Sequence, residues 1–319
     1  MSLAIMSSGG DAPGMNPAIK KFVDYAYKQG KNSFLIYDGL EGLIDNKIKQ
    51  ATHQDVAGIL HRGGTIIRSS RSKRFFEYEY RQKAYENLQA HGITGLVVLG
   101  GDGSFRAMEK FSSEFDLHFV GIPSTIDNDI YGTDYCLGVD TALNNIRDAL
   151  DKIRDTASSF NRAFLVEVMG RDCGYLAIVS AMISGAEVCV VPEVKFDYEK
   201  VGKRLRKEVE HGRNYALAIV SEGTNQTSEV HKWLQDTIGL ETRVSILGHI
   251  QRGGNPTVRD RLMAFAFTVA AVDHLLAHEN SNKVVVYQKG DFKLIEIDEV
   301  VSGTYQLPQK YLDAVKLLD

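Results

Sequence analysis

The sequence predicts an α/β protein built from two doubly wound, mostly parallel sheets. Strand-like and helix-like runs alternate nearly throughout its 319 residues, the order that builds parallel sheets from βαβ units. The strand runs are apolar along their whole length, as in Gly95-Leu96-Val97-Val98-Leu99 and Phe119-Val120-Gly121-Ile122; strands covered on both faces read this way. The strand–helix cycle starts afresh near Gly138, which marks a break between two domains.

Composition bounds the partners. Apolar residues make up 44% and charged residues 24%, an ordinary globular balance. Lys and Arg total 37 against 41 acids, a net charge of −4, so nothing general argues for nucleic acid or an anionic membrane. The cysteines, Cys136, Cys173 and Cys189, are odd in number and form no CxxC. The chain opens on a strand with no signal peptide, and a reducing cytoplasm is the expected setting. No apolar stretch reaches the roughly 20 residues of a membrane span.

In chain order, Ser2 to Ser7 is a short strand. It runs into Ser8-Gly9-Gly10-Asp11-Ala12-Pro13-Gly14-Met15-Asn16 and a helix from about Pro17 to Gln29. Strand, glycine loop and helix in that order aim backbone N–H groups at a phosphate. The loop is neither a Walker A loop nor a GxGxxG fingerprint, and a plain structural turn competes. Ser33 to Tyr37 is a strand, Asp38-Gly39 a turn, and a helix is expected near Gln54 to Leu60. Arg68 to Arg74 holds four cations in seven residues, either solvated surface or a phosphate clamp. A helix from about Glu77 to His91 leads into the strand Gly95 to Gly100 and the loop Gly101-Asp102-Gly103-Ser104. Glycines there let a polyphosphate approach, and the Asp suits Mg²⁺.

The strand Phe119 to Ile122 is ended by Pro123, and Ser124-Thr125-Ile126-Asp127-Asn128-Asp129 follows. One carboxylate in such a loop suits taking a proton from an alcohol, and a second suits a cation or a hydroxyl. An Asx-turn capping the next helix is the alternative. Leu143, Ile146, Leu150 and Ile153 recur at helical spacing over Asn144 to Thr156. Ala163 to Val168 is a strand ending in Met169-Gly170-Arg171. Strands at Val188 to Val191, Ala216 to Ser221 and Arg243 to Leu247 end in Pro192-Glu193, Glu222-Gly223 and Gly248-His249-Ile250-Gln251-Arg252-Gly253-Gly254. The last loop suits an anion, or its Arg pairs with an acid in a packed turn. A helix from about Tyr198 to Glu210, another from about Thr257 to His278, a strand at Lys283 to Gln288 and a C-terminal helix complete the chain. Two glycine loops, a candidate Mg²⁺ ligand, an acid pair and scattered arginines, without a GxSxG elbow or a Cys/His cluster, best serve phosphoryl transfer.

Five stretches together carry a resemblance: Gly9 to Asn16, Gly100 to Ser104, Thr125 to Asp129, Met169 to Arg171, and Leu247 to Gly254. They resemble the signature loops of the bacterial 6-phosphofructokinase family, from the first strand to about residue 290. The resemblance implies transfer of the ATP γ-phosphoryl to the 1-hydroxyl of fructose 6-phosphate, a glycolytic step. It implies two domains, 1–138 with about 251–303 and 139–250 with 304–319, and an active site in the cleft between them. Asp127 would be the general base, Thr125 and Arg171 would steady the transferring group, and Asp102 would hold Mg²⁺ with Asp129 close by. Gly10, Arg71, Ser72, Gly101, Asp102, Gly103 and Ser104 would contact ATP. Met169, Gly170 and Glu222 would hold the sugar. His249 and Arg252 would take its phosphate, with Arg162 and Arg243 from a neighbouring subunit of a homotetramer.

Some positions depart from the family pattern. Gly103 resembles the ATP users, since pyrophosphate users carry an acid there; Ser124 matches neither the glycine of ATP users nor the lysine of pyrophosphate users. Phe105-Arg106-Ala107-Met108 replaces the usual run beside adenine. Lys20, Arg154, Glu187 and Arg213 match the family's effector site, but Asp24, His53, His211 and Tyr215 stand where cations or a histidine are usual, so altered allosteric control is expected. A pyrophosphate-dependent relative and a non-catalytic subunit that keeps the fold are the competing readings.

Overall fold

A computed structural model describes residues 2–278 and 281–318; the outermost residues of the two expected domains, Met1 and Asp319, lie outside that range. The chain divides into two compact units. The first holds residues up to Thr141 together with Arg252–Tyr305, the second Ala142–Gln251 with residues from Gln306 onward.

In the first unit, β1 (Ser2–Ser7), α1 (Met15–Lys28), β2 (Asn32–Ile36), α2 (Gly39–Ile44), β3 (Ile48–Gln50), α3 (Tyr78–Ala90), β4 (Ile93–Gly100), α4 (Asp102–Glu114) and β5 (Phe119–Pro123) follow in order. Helix α5 (Val139–Phe160) begins in this unit and continues into the second. The second unit contains β6 (Ala163–Val168), α6 (Tyr175–Ser184), β7 (Val188–Val190), α7 (Tyr198–Glu210), β8 (Ala216–Ser221), α8 (Thr227–Ile238) and β9 (Thr242–Ile246). The chain then returns to the first unit as α9 (Val258–Ala277), β10 (Asn282–Gln288), β11 (Asp291–Glu296) and α10 (Ile297–Ser302). It ends in the second with α11 (Gln309–Leu317).

The first sheet has the order β11-β10-β5-β4-β1-β2-β3 and the second β7-β8-β6-β9. Register in the first sets Ile5 beside Leu35 and Val97, and Leu99 beside Ile122. The pairs are parallel except at the two ends of the larger sheet, where β3 and β11 run antiparallel. Leu3, Ile5, Val97, Val98, Phe119 and Val120 are fully buried, as their unbroken apolar character requires. Helix α1 turns Met15, Ile19, Phe22 and Ala26 inward, and α9 packs on it with Phe267, Ala271 and Leu275 buried. The second unit's core is Leu165, Val190, Leu205, Ala218, Val230 and Leu234. Asp197 caps α7 by accepting from the N–H groups of Glu199 and Lys200.

The helix expected near Gln54 to Leu60 is absent; turns occupy that stretch. Gly58 sits at φ +66°, a left-handed conformation that breaks helical propagation. A short helix lies earlier instead, at α2.

Candidate active site

Strands β1, β4 and β5 are neighbours in a parallel arrangement, so the loops leaving their C-terminal ends lie side by side. Backbone bonds lock them at the base: Ser8 N donates to Leu99 O and Ser124 N to Gly100 O, both at 2.8 Å. Above this seam the loops are close-packed. A Cβ on Gly9 would lie 3.1 Å from Ser104 Oγ, and one on Gly101 would touch Thr125 at 3.5 Å. Gly10 is closed from the other side, since a Cβ there would come within 2.6 Å of Arg252 Nη1. The structure therefore brings Gly10, Gly101, Ser104, Thr125 and Arg252 together in the first unit.

The acid loop alternates in burial. Ile126, Asn128 and Ile130 are buried, while Thr125, Asp127 and Asp129 are half-buried. Thr125 Oγ1 accepts from Asp127 N at 3.3 Å. Asn128 takes φ +54°, and its Oδ1 accepts from Cys136 N at 2.9 Å. That bond closes the loop on itself, and asparagine tolerates the left-handed turn. Ser124, by contrast, is buried and donates to Ile122 O at 3.0 Å; its hydroxyl is spent on its own strand.

Asp102 opens α4, where the helix dipole favours a carboxylate. It is partly exposed and paired with Arg106 Nε at 2.8 Å. No group of three or more His, Cys, Asp or Glu fit for a metal occurs among the described residues. One carboxylate at a glycine loop is compatible with Mg²⁺, which takes one or two carboxylates and completes its shell with water and phosphate oxygens. A Cβ on Gly103 would meet nothing within 4 Å, which leaves open space at the start of α4. Phe105 and Met108 are fully buried, so of the unusual run after Ser104 only Arg106 and Ala107 remain outside the core.

The basic run sorts itself by partners. Arg68 pairs with Asp38, and Arg74 with Glu41 and Asp45; these acids sit well below their usual range where Arg74 donates to them. Ser72 Oγ accepts from Phe75 N at 3.0 Å, in the short helical turn Arg74–Phe76. Arg71 is exposed and pairs with no acid among the described residues, leaving its guanidinium available to an anion.

In the second unit, Met169, Gly170 and Arg171 follow β6. Gly170 adopts φ +134°, and its carbonyl accepts from Ser221 Oγ at 2.7 Å and Gly223 N at 3.1 Å. Met169 N donates to the side chain of the fully buried Gln251 at 3.1 Å. The Met169–Arg171 segment is thus tied to the loop of Glu222 and to the loop of His249. Arg162 and Arg243 converge on one carboxylate: Glu241 meets Arg162 Nε at 2.6 Å and also pairs with Arg243. Arg162 additionally lies over the Phe160 ring.

The effector candidates are engaged locally. Asp24 joins Lys20 and His53, each at 2.9 Å. Arg154 donates to the carbonyls of Ser184 and Gly185. Arg213 pairs with Glu187 and Glu208, and Glu187 also accepts from Leu217 N at 2.7 Å.

Sequence reasoning missed the buried polar residues that hold these loops. Besides Asn128 and Gln251, Asn16 is fully buried and binds the carbonyls of Arg62 and Gly64 and the N–H of Ile66. Its position just after the glycine loop was the one available signal. A cavity of about 570 Å³, lined by Tyr85, Gln89, Thr94, Asp116 and His118 among others, opens at the opposite, N-terminal end of β4. It contains none of the residues above.

Comparison with known proteins gives a consistent picture. The family model described as Phosphofructokinase matches residues 2–275. A Sulfurimonas denitrificans protein named ATP-dependent 6-phosphofructokinase is 55% identical over 316 residues, covering 99% of both chains. A Thermotoga neapolitana protein of the same name is 43% identical, again over 99% of both. Among solved structures, Pichia pastoris phosphofructokinase in the T-state matches with TM-score 0.90 at 34% identity, all of this chain spanning 36% of that one. A pyrophosphate-dependent phosphofructokinase from Marinobacter aquaeolei, with TM-score 0.84 over all of this chain and 91% of that one, is 21% identical and shares the fold. No helix among the described residues is long and apolar enough to cross a membrane.

Proposed function

The chain belongs to the phosphofructokinase family, and from that premise we infer that it transfers the γ-phosphoryl of ATP to the 1-hydroxyl of fructose 6-phosphate. The near-full-length likeness to ATP-dependent relatives carries this reading. Gly103, where pyrophosphate users carry an acid, also favours ATP as the donor. The pyrophosphate-dependent alternative has weaker support.

In the proposed reaction Asp127 accepts the proton of the 1-hydroxyl as its oxygen attacks the γ-phosphorus. The bond to the bridging oxygen breaks and ADP leaves. Thr125 and Arg171 stabilise the charge on the transferring group, where positioning and neutralisation dominate catalysis. Asp102 would hold Mg²⁺, with Asp129 close by, and the ion would neutralise phosphate charge when bound. Gly10, Arg71 and the Gly101–Ser104 loop are assigned to ATP; Ser72, whose Oγ already accepts from Phe75 N, is the weakest member of that set. Met169, Gly170 and Glu222 are assigned to the sugar. His249 and Arg252 are assigned to its phosphate, with Arg162 and Arg243 from a neighbouring copy.

We further assign a homotetramer and a cytoplasmic setting. Exposed Val258, Leu262 and Phe265 recur along one side of α9, and Ile246 is exposed on the edge strand β9; uncovered apolar side chains of this kind suit burial against another copy. The odd cysteine count suits a reducing compartment. Lys20, Arg154, Glu187 and Arg213 form the proposed effector set. Asp24 beside Lys20 and two carboxylates on Arg213 lower its appetite for phosphate.

The test is fructose 1,6-bisphosphate formation with ATP, GTP or pyrophosphate, each with Mg²⁺. Turnover with ATP is expected. Turnover with pyrophosphate alone would overturn the donor assignment, and silence with all three would favour a non-catalytic subunit.

A further inference from the structure

Asp260 is fully buried near the start of α9. A carboxylate removed from water is costly unless every lone pair is used, and here each oxygen receives two donors. Oδ1 accepts from Tyr135 Oη and Gly138 N, both at 2.8 Å. Oδ2 accepts from Thr141 N at 2.8 Å and Thr141 Oγ1 at 2.5 Å.

These donors belong to the exit of the acid loop and the first turn of α5. The arrangement is reciprocal. Thr257, the N-cap of α9, accepts from Asp260 N at 3.2 Å and donates to Asp140 Oδ2 at 2.6 Å. Thr257 N donates to Thr141 Oγ1 at 3.1 Å. In an ordinary capping box the acid at the third helical position reaches back to its own N-cap. Here Asp260 reaches to the neighbouring helix, and that helix's threonine answers the N-cap of α9. The partners sit where two functional loops end. The acid loop bearing Asp127 runs out through Tyr135 and Gly138. The loop that follows Arg252 runs into Thr257. Gly14 of the phosphate-facing loop also packs here, its missing Cβ lying 3.8 Å from Asp260 Cβ.

We propose that Asp260 is a positioning residue for phosphoryl transfer, one buried carboxylate fixing the exits of the Asp127 loop and the Arg252 loop in a single register. It touches neither substrate and acts through the loops it ties. The inference rests on the kinase reading above. Wild-type turnover is therefore measured first; its absence would count against that reading, whereas an active wild type with an unaffected variant counts against this one.

Asp260→Asn keeps the shape but must aim an NH₂ at a backbone N–H whichever way the amide turns, because each carboxylate oxygen holds one N–H and one hydroxyl. Misplacement by about 1 Å costs about 10²-fold in rate. The expected result is a kcat lower by about 10- to 100-fold with KM for ATP nearly unchanged, measured well below the melting temperature on correctly assembled protein. Thr141→Val should lower kcat in the same direction, and Thr141→Ser, which restores the hydroxyl, should recover it. A structural role alone would shift melting without this kcat-specific loss or its rescue. A folded Asp260→Asn enzyme with near-normal kcat would overturn the proposal. If that variant does not fold, the threonine pair decides, and equal activities of Thr141→Val and Thr141→Ser would overturn it.

Discussion

Gly223→Ala is the sharpest test of how the loops assigned above to the sugar are held. A Cβ at position 223 would lie 1.7 Å from Arg171 O, 2.6 Å from Arg171 C and 2.7 Å from Gly170 O. Real Cβ atoms do not approach closer than 3.0 Å, so the Arg171 carbonyl must retreat by at least about 1.3 Å. Rotation gives no escape, because the Gly170 carbonyl is already held by Ser221 Oγ and Gly223 N. Overpacking of this kind costs about 1–3 kcal/mol of stability. A displacement beyond 1 Å at a substrate-positioning segment costs about 10²-fold in rate. The assay is kcat and KM for fructose 6-phosphate in a coupled assay, alongside the melting temperature. Gly202→Ala in α7 is the control, since its Cβ would make only ordinary contacts at 3.5 Å or more and alanine favours the helix. If Gly223→Ala turns over within about threefold of wild type, far short of the 10²-fold expected, the segment is not the positioning element described.

Three further outcomes are expected. Asp127→Ser should lower kcat by about 10²- to 10⁴-fold, the usual worth of a general base, with little change in KM for the sugar phosphate; near-normal turnover would remove Asp127 from that role. Arg243→Ser should chiefly raise KM for fructose 6-phosphate, because Glu241 would then neutralise the one remaining arginine of its pair; an unchanged KM would argue against Arg243 as a contact of the sugar phosphate. His274 is pushed down to about 4 from 6.5, first by burial and then by nearby His278 and Lys283. The fold prefers its neutral form, so its stabilising contribution is present above pH 6.5 and is lost as pH falls toward 4. Melting temperature should drop across that window, and His274→Gln should flatten the drop.

The sheets were legible in the sequence because buried parallel strands are uniformly apolar, and β1, β6 and β8 lie where those runs predict. Helix α7, expected from about Tyr198 to Glu210, spans those residues, and the structure adds its Asp197 cap. The expected helix near Gln54 failed because apolar spacing does not report the positive φ that Gly58 adopts. Helix α8 went unread although Val230, Leu234 and Ile238 recur every four residues and are buried. At the site, the glycine loops and the acid pair announce themselves through local spacing. Their supports do not. Asp260 bonds Tyr135 across 125 positions and Gln251 bonds Met169 across 82, distances at which no local pattern reveals a partner. A lone Asp, Asn or Gln on a periodic segment reads as surface until the fold shows it buried.

The place of β10 beside β5 has a consequence for how the polypeptide emerges from the ribosome. Phe119 pairs with Asn282, so the central sheet of the first unit stays open until residue 282 has been made. At about 5–20 residues per second, roughly 10–30 s separate the two strands. During that interval β5 is an exposed apolar edge, the kind of surface that recruits foreign strands, and the residues for β6 to β9 are made before it closes. A nascent chain stalled between residues 250 and 280 should therefore be the most chaperone-dependent and aggregation-prone species in the life of this protein.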